Sequence, residues 1–136
     1  MHFSQEQIGT RRIPLHKTFD VDYSFGKKTE VITYKYLFLT TYQDGNLAVI
    51  ASPTESLDTP YRLMVSVNLV ASGMLDTNEF ALNITNLPEL SNEAMIKAGI
   101  YMPTPHSIKQ GYVMFPIMRL NQQYWLQHTF NNRVSM

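Results

Sequence analysis

Hydrophobic and polar positions alternate with a period of two over much of this chain, and the runs predict strands at Glu30–Tyr42, Asn46–Ser52, Pro60–Leu69, Thr77–Ile84 and Gly111–Leu120. Val31 to Tyr42 is rich in β-branched and aromatic residues and holds neither glycine nor proline, which predicts a long central strand. Asp44-Gly45 follows as a hairpin signal, because glycine accepts the positive φ that a tight turn demands. Tyr61, Leu63, Val65, Val67 and Leu69 alternate against Arg62, Met64, Ser66 and Asn68, so the odd-numbered side is predicted to face the core.

Upstream, residues 1–29 read as a polar lead-in that contains an edge strand over Ile13–Tyr23, with Pro14 confining it to an edge and Gly26-Lys27-Lys28 making the next turn. One short helix is predicted from Asn86, with a capping box to Glu89, through the stripe Leu87, Leu90, Ala94, Met95 and Ala98, to a stop at Gly99. Tyr101–Gln110 carries Pro103 and Pro105 and reads as a loop, Pro116 marks an edge or bulge in the strand after it, and Tyr124–Phe130 is a candidate last strand. The prediction is one α+β domain over residues 1–136, with its core at 30–120 and a tail or last strand at 121–136. Its mainly antiparallel sheet has five to seven strands, and one helix packs on a face.

At 136 residues the chain is long enough for a single core without staples. The absence of cysteine excludes disulfides, thiolate nucleophiles and cysteine-ligated metal sites. Eleven basic residues balance eleven acidic ones, so no global field draws the chain to a polyanion, and nucleic-acid binding would need a local patch. Neither a signal sequence nor a membrane-length apolar run is present, and a soluble cytoplasmic protein is expected. Asn83-Ile84-Thr85 matches a glycosylation sequon, and a chance match is the favoured reading.

Catalytic patterns are sparse. His2, His16, His106 and His128 lack metal-ligand spacing, no serine sits in a nucleophile elbow, and the glycines do not form a phosphate loop. Asp20 and Asp22 share one strand face, a placement seen in paired-carboxylate sites but also on any solvated strand. No catalytic, cofactor or metal residues are therefore assigned, and the expectation is a protein that is not an enzyme.

Tyr34, Tyr36, Phe38 and Tyr42 would share one face of the long strand beside Lys35. Together with Arg11 and Arg12, the set Tyr34, Lys35, Tyr36 and Tyr42 is the candidate binding surface, because aromatics interleaved with cations hold proteins or single-stranded nucleic acid. A buried aromatic face would have the same sequence. The eight methionines read as core filler ahead of a plastic binding surface.

Gly45-Asn46-Leu47-Ala48-Val49, Pro60-Tyr61 leading to Val67-Asn68-Leu69, Asn86-Leu87-Pro88-Glu89-Leu90 running to Ala98-Gly99-Ile100, and Gly111-Tyr112-Val113 with Pro116 occur in that order. In this the chain resembles a small family of domains of unknown function from Firmicutes phages, plasmids and other mobile elements, over roughly residues 30–120. Its Tyr61–Leu69 strand is a looser version of the family pattern. The resemblance brings no catalytic residues. It implies a phage or mobile-element accessory protein that binds a host protein such as a defence effector, as an anti-CRISPR or other anti-defence inhibitor. The alternative is a single-stranded nucleic-acid-binding module. A homodimer is compatible with both.

Overall fold

A computed structural model describes residues 10–126. The α+β prediction holds, with the strands divided between two four-stranded antiparallel sheets. The first has the order β1 (Arg11–Phe25), β2 (Lys28–Thr41), β3 (Leu47–Ser52) and β4 (Leu63–Met64). The second runs β5 (Ser66–Val67), β6 (Glu79–Leu82), β8 (Val113–Leu120) and β7 (Tyr101–Gln110). Helix α1 (Glu89–Lys97) precedes β7, and a 3₁₀ turn covers Val70–Met74. The eight strands among the described residues exceed the predicted five to seven because one predicted strand is split and a predicted loop is extended.

The split falls at Val65. Its N–H donates to the Val49 carbonyl in the first sheet at 3.0 Å, and its carbonyl accepts from Asn83 N–H beside the second, also at 3.0 Å. One residue therefore joins the sheets, and the predicted Pro60–Leu69 strand becomes two pairs of residues. Leu63 and Val65 still face the central core, but Leu69 packs on the outer side of the second sheet with Ala81, Phe115 and Ile117. The buried Ser66 hydroxyl supports the crossing by accepting Val49 N–H at 2.9 Å, a donor the departing strand does not pair.

The central core lies between the sheets, where Ile13, Phe19, Leu37, Leu39 and Val49 meet Phe80, Leu82, Tyr101, Met118 and Leu120, with Leu87 and Met95 filling from the helix segment. The N-terminal segment is thus a fifteen-residue edge strand that contributes to the core. Each sheet also has an outer apolar cluster. The one on the first sheet gathers Phe38, Tyr42 and Ile50 with Leu57 of the loop after β3.

Both long edge strands are irregular. β1 slips register between Pro14 and Phe19, where His16 N–H donates to the Tyr124 hydroxyl at 3.1 Å. β7 slips between Pro103 and Ser107, where Thr104 Oγ1 donates to the Ile117 carbonyl at 2.8 Å. Prolines remove edge donors and bulges twist the edge, two devices that oppose strand addition by another chain. Pro103 and Pro105 led to the loop reading, and edge position explains why the strand tolerates them.

Helix α1 starts later than predicted. Its N-cap is Pro88 without a side-chain cap, and Asn86 Nδ2 donates instead to Asn83 Oδ1 at 3.3 Å. Gly99, at φ +74°, ends it as expected, and Gly45 takes φ +89° in the β2–β3 turn. Of the predicted stripe, Leu87 and Met95 are buried while Leu90 is exposed. Residues 122–126 form a helical turn, so the described part of Tyr124–Phe130 is not a strand, and the remainder lies outside the described residues.

Candidate interaction surface

The predicted aromatic platform does not form. Alternation along β2 changes phase across Lys35 and Tyr36, opposite the register slip of β1. Tyr34 therefore joins Leu37 and Leu39 in the central core, and Phe38 and Tyr42 pack on the outer side. Tyr34 is fully buried, stacks on Phe19 at 5.0 Å between ring centroids, and donates its hydroxyl to the Tyr61 carbonyl while sharing a second hydrogen bond with Tyr23. Burial first, then the Tyr23 hydroxyl, pushes the Tyr34 phenol well above the usual tyrosine range. Tyr42 is buried against Ser66, with 2.9 Å between hydroxyls. These two rings are core, which corrects their assignment to a binding surface.

The other predicted residues stay nearer to solvent. Lys35 and Arg12 are exposed, and Tyr36 and Arg11 are half-buried. Arg12 lies 5.9 Å from the Tyr36 ring centroid and donates to the Glu55 carbonyl at 3.0 Å, and Tyr36 donates to the Glu55 carboxylate at 3.2 Å. This small cluster ties the 53–62 loop to β1 and β2, a structural use for both residues.

Asp20 and Asp22 lie on the solvent face of β1, and Asp20 accepts the Thr33 hydroxyl at 2.7 Å. Among the described residues no three His, Asp or Glu side chains are placed to hold a metal ion. His16 and His106 are exposed and far apart in the sequence, while His2 and His128 lie outside the described residues. Asn83 of the sequon is buried, with Nδ2 donating to the Met64 carbonyl at 3.0 Å. Among the described residues no helix is long and apolar enough to cross a membrane.

Sequence reasoning passed over a different surface. The 3₁₀ turn presents Val70 and Met74, 95% and 89% exposed, and Tyr112 is fully exposed in the β7–β8 turn. Val70 N–H donates to Gln110 Oε1 at 3.0 Å, which brings the 3₁₀ turn to the end of that hairpin. Leu69 and Leu75 on either side hold the turn down: Leu69 is buried in the outer cluster and the partly buried Leu75 packs against it. Ser72 Oγ further accepts Leu69 N–H at 2.9 Å. The exposed side chains are therefore carried on a braced segment. Hydropathy alone does not distinguish Val70 and Met74 from their buried neighbours, whereas the Gly111-Tyr112 turn was a usable signal.

No known protein family, curated protein or solved structure matches this chain.

Proposed function

We propose that this protein acts by protein–protein contact rather than by catalysis, with the end of the molecule formed by Val70, Met74 and Tyr112 as its contact surface. The carrying observation is three large apolar side chains, nearly or fully exposed, on two segments joined by the Val70–Gln110 hydrogen bond. Aromatic and methionine side chains are enriched at protein interfaces, and rigid presentation lowers the entropy lost on binding. In the mobile-element setting that the sequence resemblance implies, the partner is a host defence effector and the protein an anti-CRISPR or other anti-defence inhibitor. The nucleic-acid alternative loses support because Tyr34 and Tyr42 are inaccessible for stacking.

The test is a tagged pull-down from host lysate with and without nuclease, repeated with a Val70→Ser/Tyr112→Ser variant. A nuclease-resistant protein that the wild type retains and the variant loses is the expected result, followed by loss of effector activity when the pure proteins are mixed. Recovery of nucleic acid alone, equal retention by the variant, or an empty pull-down would overturn the reading.

A further inference from the structure

Beside the 3₁₀ turn, between the β2–β3 hairpin and β6, lies a cavity of about 220 Å³. That is about seven times the volume of a water molecule in the liquid. Asn46 and Asn68 line it together with Asp76, Thr77 and Glu79, and Trp125, the only tryptophan in the chain, forms part of the wall. We infer that this cavity binds a small uncharged polyhydroxylated ligand of the class of a single sugar ring.

Charge narrows the class. Among the described residues no lysine, arginine or histidine lines the cavity, so a phosphate or carboxylate would meet Asp76 and Glu79 without a cation from them. Glu79 is buried and already engaged, accepting from Arg119 at 3.1 Å on Oε2 and from Asp76 N–H at 3.2 Å on Oε1. A cationic ligand would therefore gain little beyond Asp76, which is exposed and screened.

Polarity and order narrow it further. Asn46 Nδ2 donates to Asn68 Oδ1 at 2.9 Å, and Asn68 Nδ2 donates to Asp44 Oδ2 at 2.9 Å. This chain of bonds fixes both amides before any ligand arrives. Among the described residues the Asp76 and Thr77 side chains make no hydrogen bond, which leaves a carboxylate and a hydroxyl at the cavity for a ligand's hydroxyl groups. Trp125, Leu47 and Leu75 add apolar surface suited to the C–H face of a sugar ring. A wholly apolar ligand would leave the polar half of the lining unpaired.

Because Trp125 is the sole tryptophan, its emission reports on this cavity directly. The full chain would be titrated with the methyl glycosides of glucose, galactose, mannose and N-acetylglucosamine, with glycerol as the control for solvent effects. At least one glycoside should change Trp125 emission saturably and shift the side-chain amide resonances of Asn46 and Asn68. The paired substitutions Asp76→Asn and Thr77→Val, both at exposed positions, should weaken that binding at least tenfold with an unchanged melting temperature. A flat response to all four glycosides overturns the inference, as does a response that glycerol reproduces or that the double variant retains.

Discussion

The side-chain amide of Asn46, in the β2–β3 turn, donates to Oδ1 of Asn68, which follows β5, at 2.9 Å. The bond links the turn of the first sheet to the chain that has just crossed into the second. Asn68 in turn holds Asp44, so the turn is fastened at two points. Asn68→Ala removes both bonds from a part-buried position and should destabilise the fold by about 1–2 kcal/mol. Urea denaturation checks this through a lower midpoint at constant slope. A wild-type midpoint would mean that solvent replaces both bonds without loss.

Tyr34 fastens another loop. Its hydroxyl reaches the Tyr61 carbonyl at the end of the 53–62 segment, and the Tyr61 hydroxyl donates to Glu30 on β2 at 3.0 Å. Tyr34→Phe keeps the stack on Phe19 but leaves Tyr23 and the Tyr61 carbonyl short of a partner. The expected cost is about 1–3 kcal/mol, with faster amide exchange confined to residues 53–62 and their contacts. Uniformly faster exchange over the whole molecule would show that the hydroxyl does not act locally.

How far the fold was legible follows from what period-two patterning can encode. Alternation reports that a residue faces an apolar surface, but not which surface, so Tyr61–Leu69 reads the same whether it stays in one sheet or crosses at Val65. Likewise the even-numbered aromatics of β2 were assigned one face because nothing local marks the phase change at Lys35 and Tyr36. It lies opposite the register slip in β1, a tertiary feature. Gly45 and Gly99 were readable because backbone conformation selects the residue directly. The exposed Val70 and Met74 and the Trp125 cavity were not, since residues distant in sequence create both. Pro103 and Pro105 misled because proline forbids a central strand yet suits an edge.

Alkaline pH should unfold the protein cooperatively. Burial raises the phenols of Tyr34, Tyr42, Tyr101 and Tyr124 above their ordinary range. Since the folded-state values lie above the unfolded ones, the stabilisation is fully present below about pH 10 and is lost as pH rises from there toward the folded-state values. For Tyr101, which is 2% exposed, the fall is about 1.4 kcal/mol per pH unit in that window. Tyr101→Phe also removes the bond to Asn92 Oδ1 at 2.7 Å, so it should be less stable at neutral pH yet lose stability less steeply above about pH 10. Denaturant midpoints across that range decide the matter, and an unchanged slope in the variant would remove Tyr101 from the account.

Glu79 and Arg119 form a cross-strand pair between β6 and β8, with the carboxylate buried and the guanidinium about half exposed, at 48%. Arg119→Ala leaves Glu79 near Asp76 N–H but without its cation, and the buried charge must then be held by one backbone donor. The expected loss is about 1–3 kcal/mol, below the range for a fully buried pair because Arg119 is partly hydrated and its departure opens the site to water. Glu79→Gln should cost less, since a neutral amide is easier to bury and still accepts the Asp76 bond. A double-mutant cycle read by urea denaturation isolates the pair, and a coupling energy near zero would mean that Glu79 is held by the backbone donor and solvent alone. Repeating the cycle in high salt separates contact from long-range field, because a pair at 3.1 Å with one partner buried should retain most of its coupling when distant charges are screened.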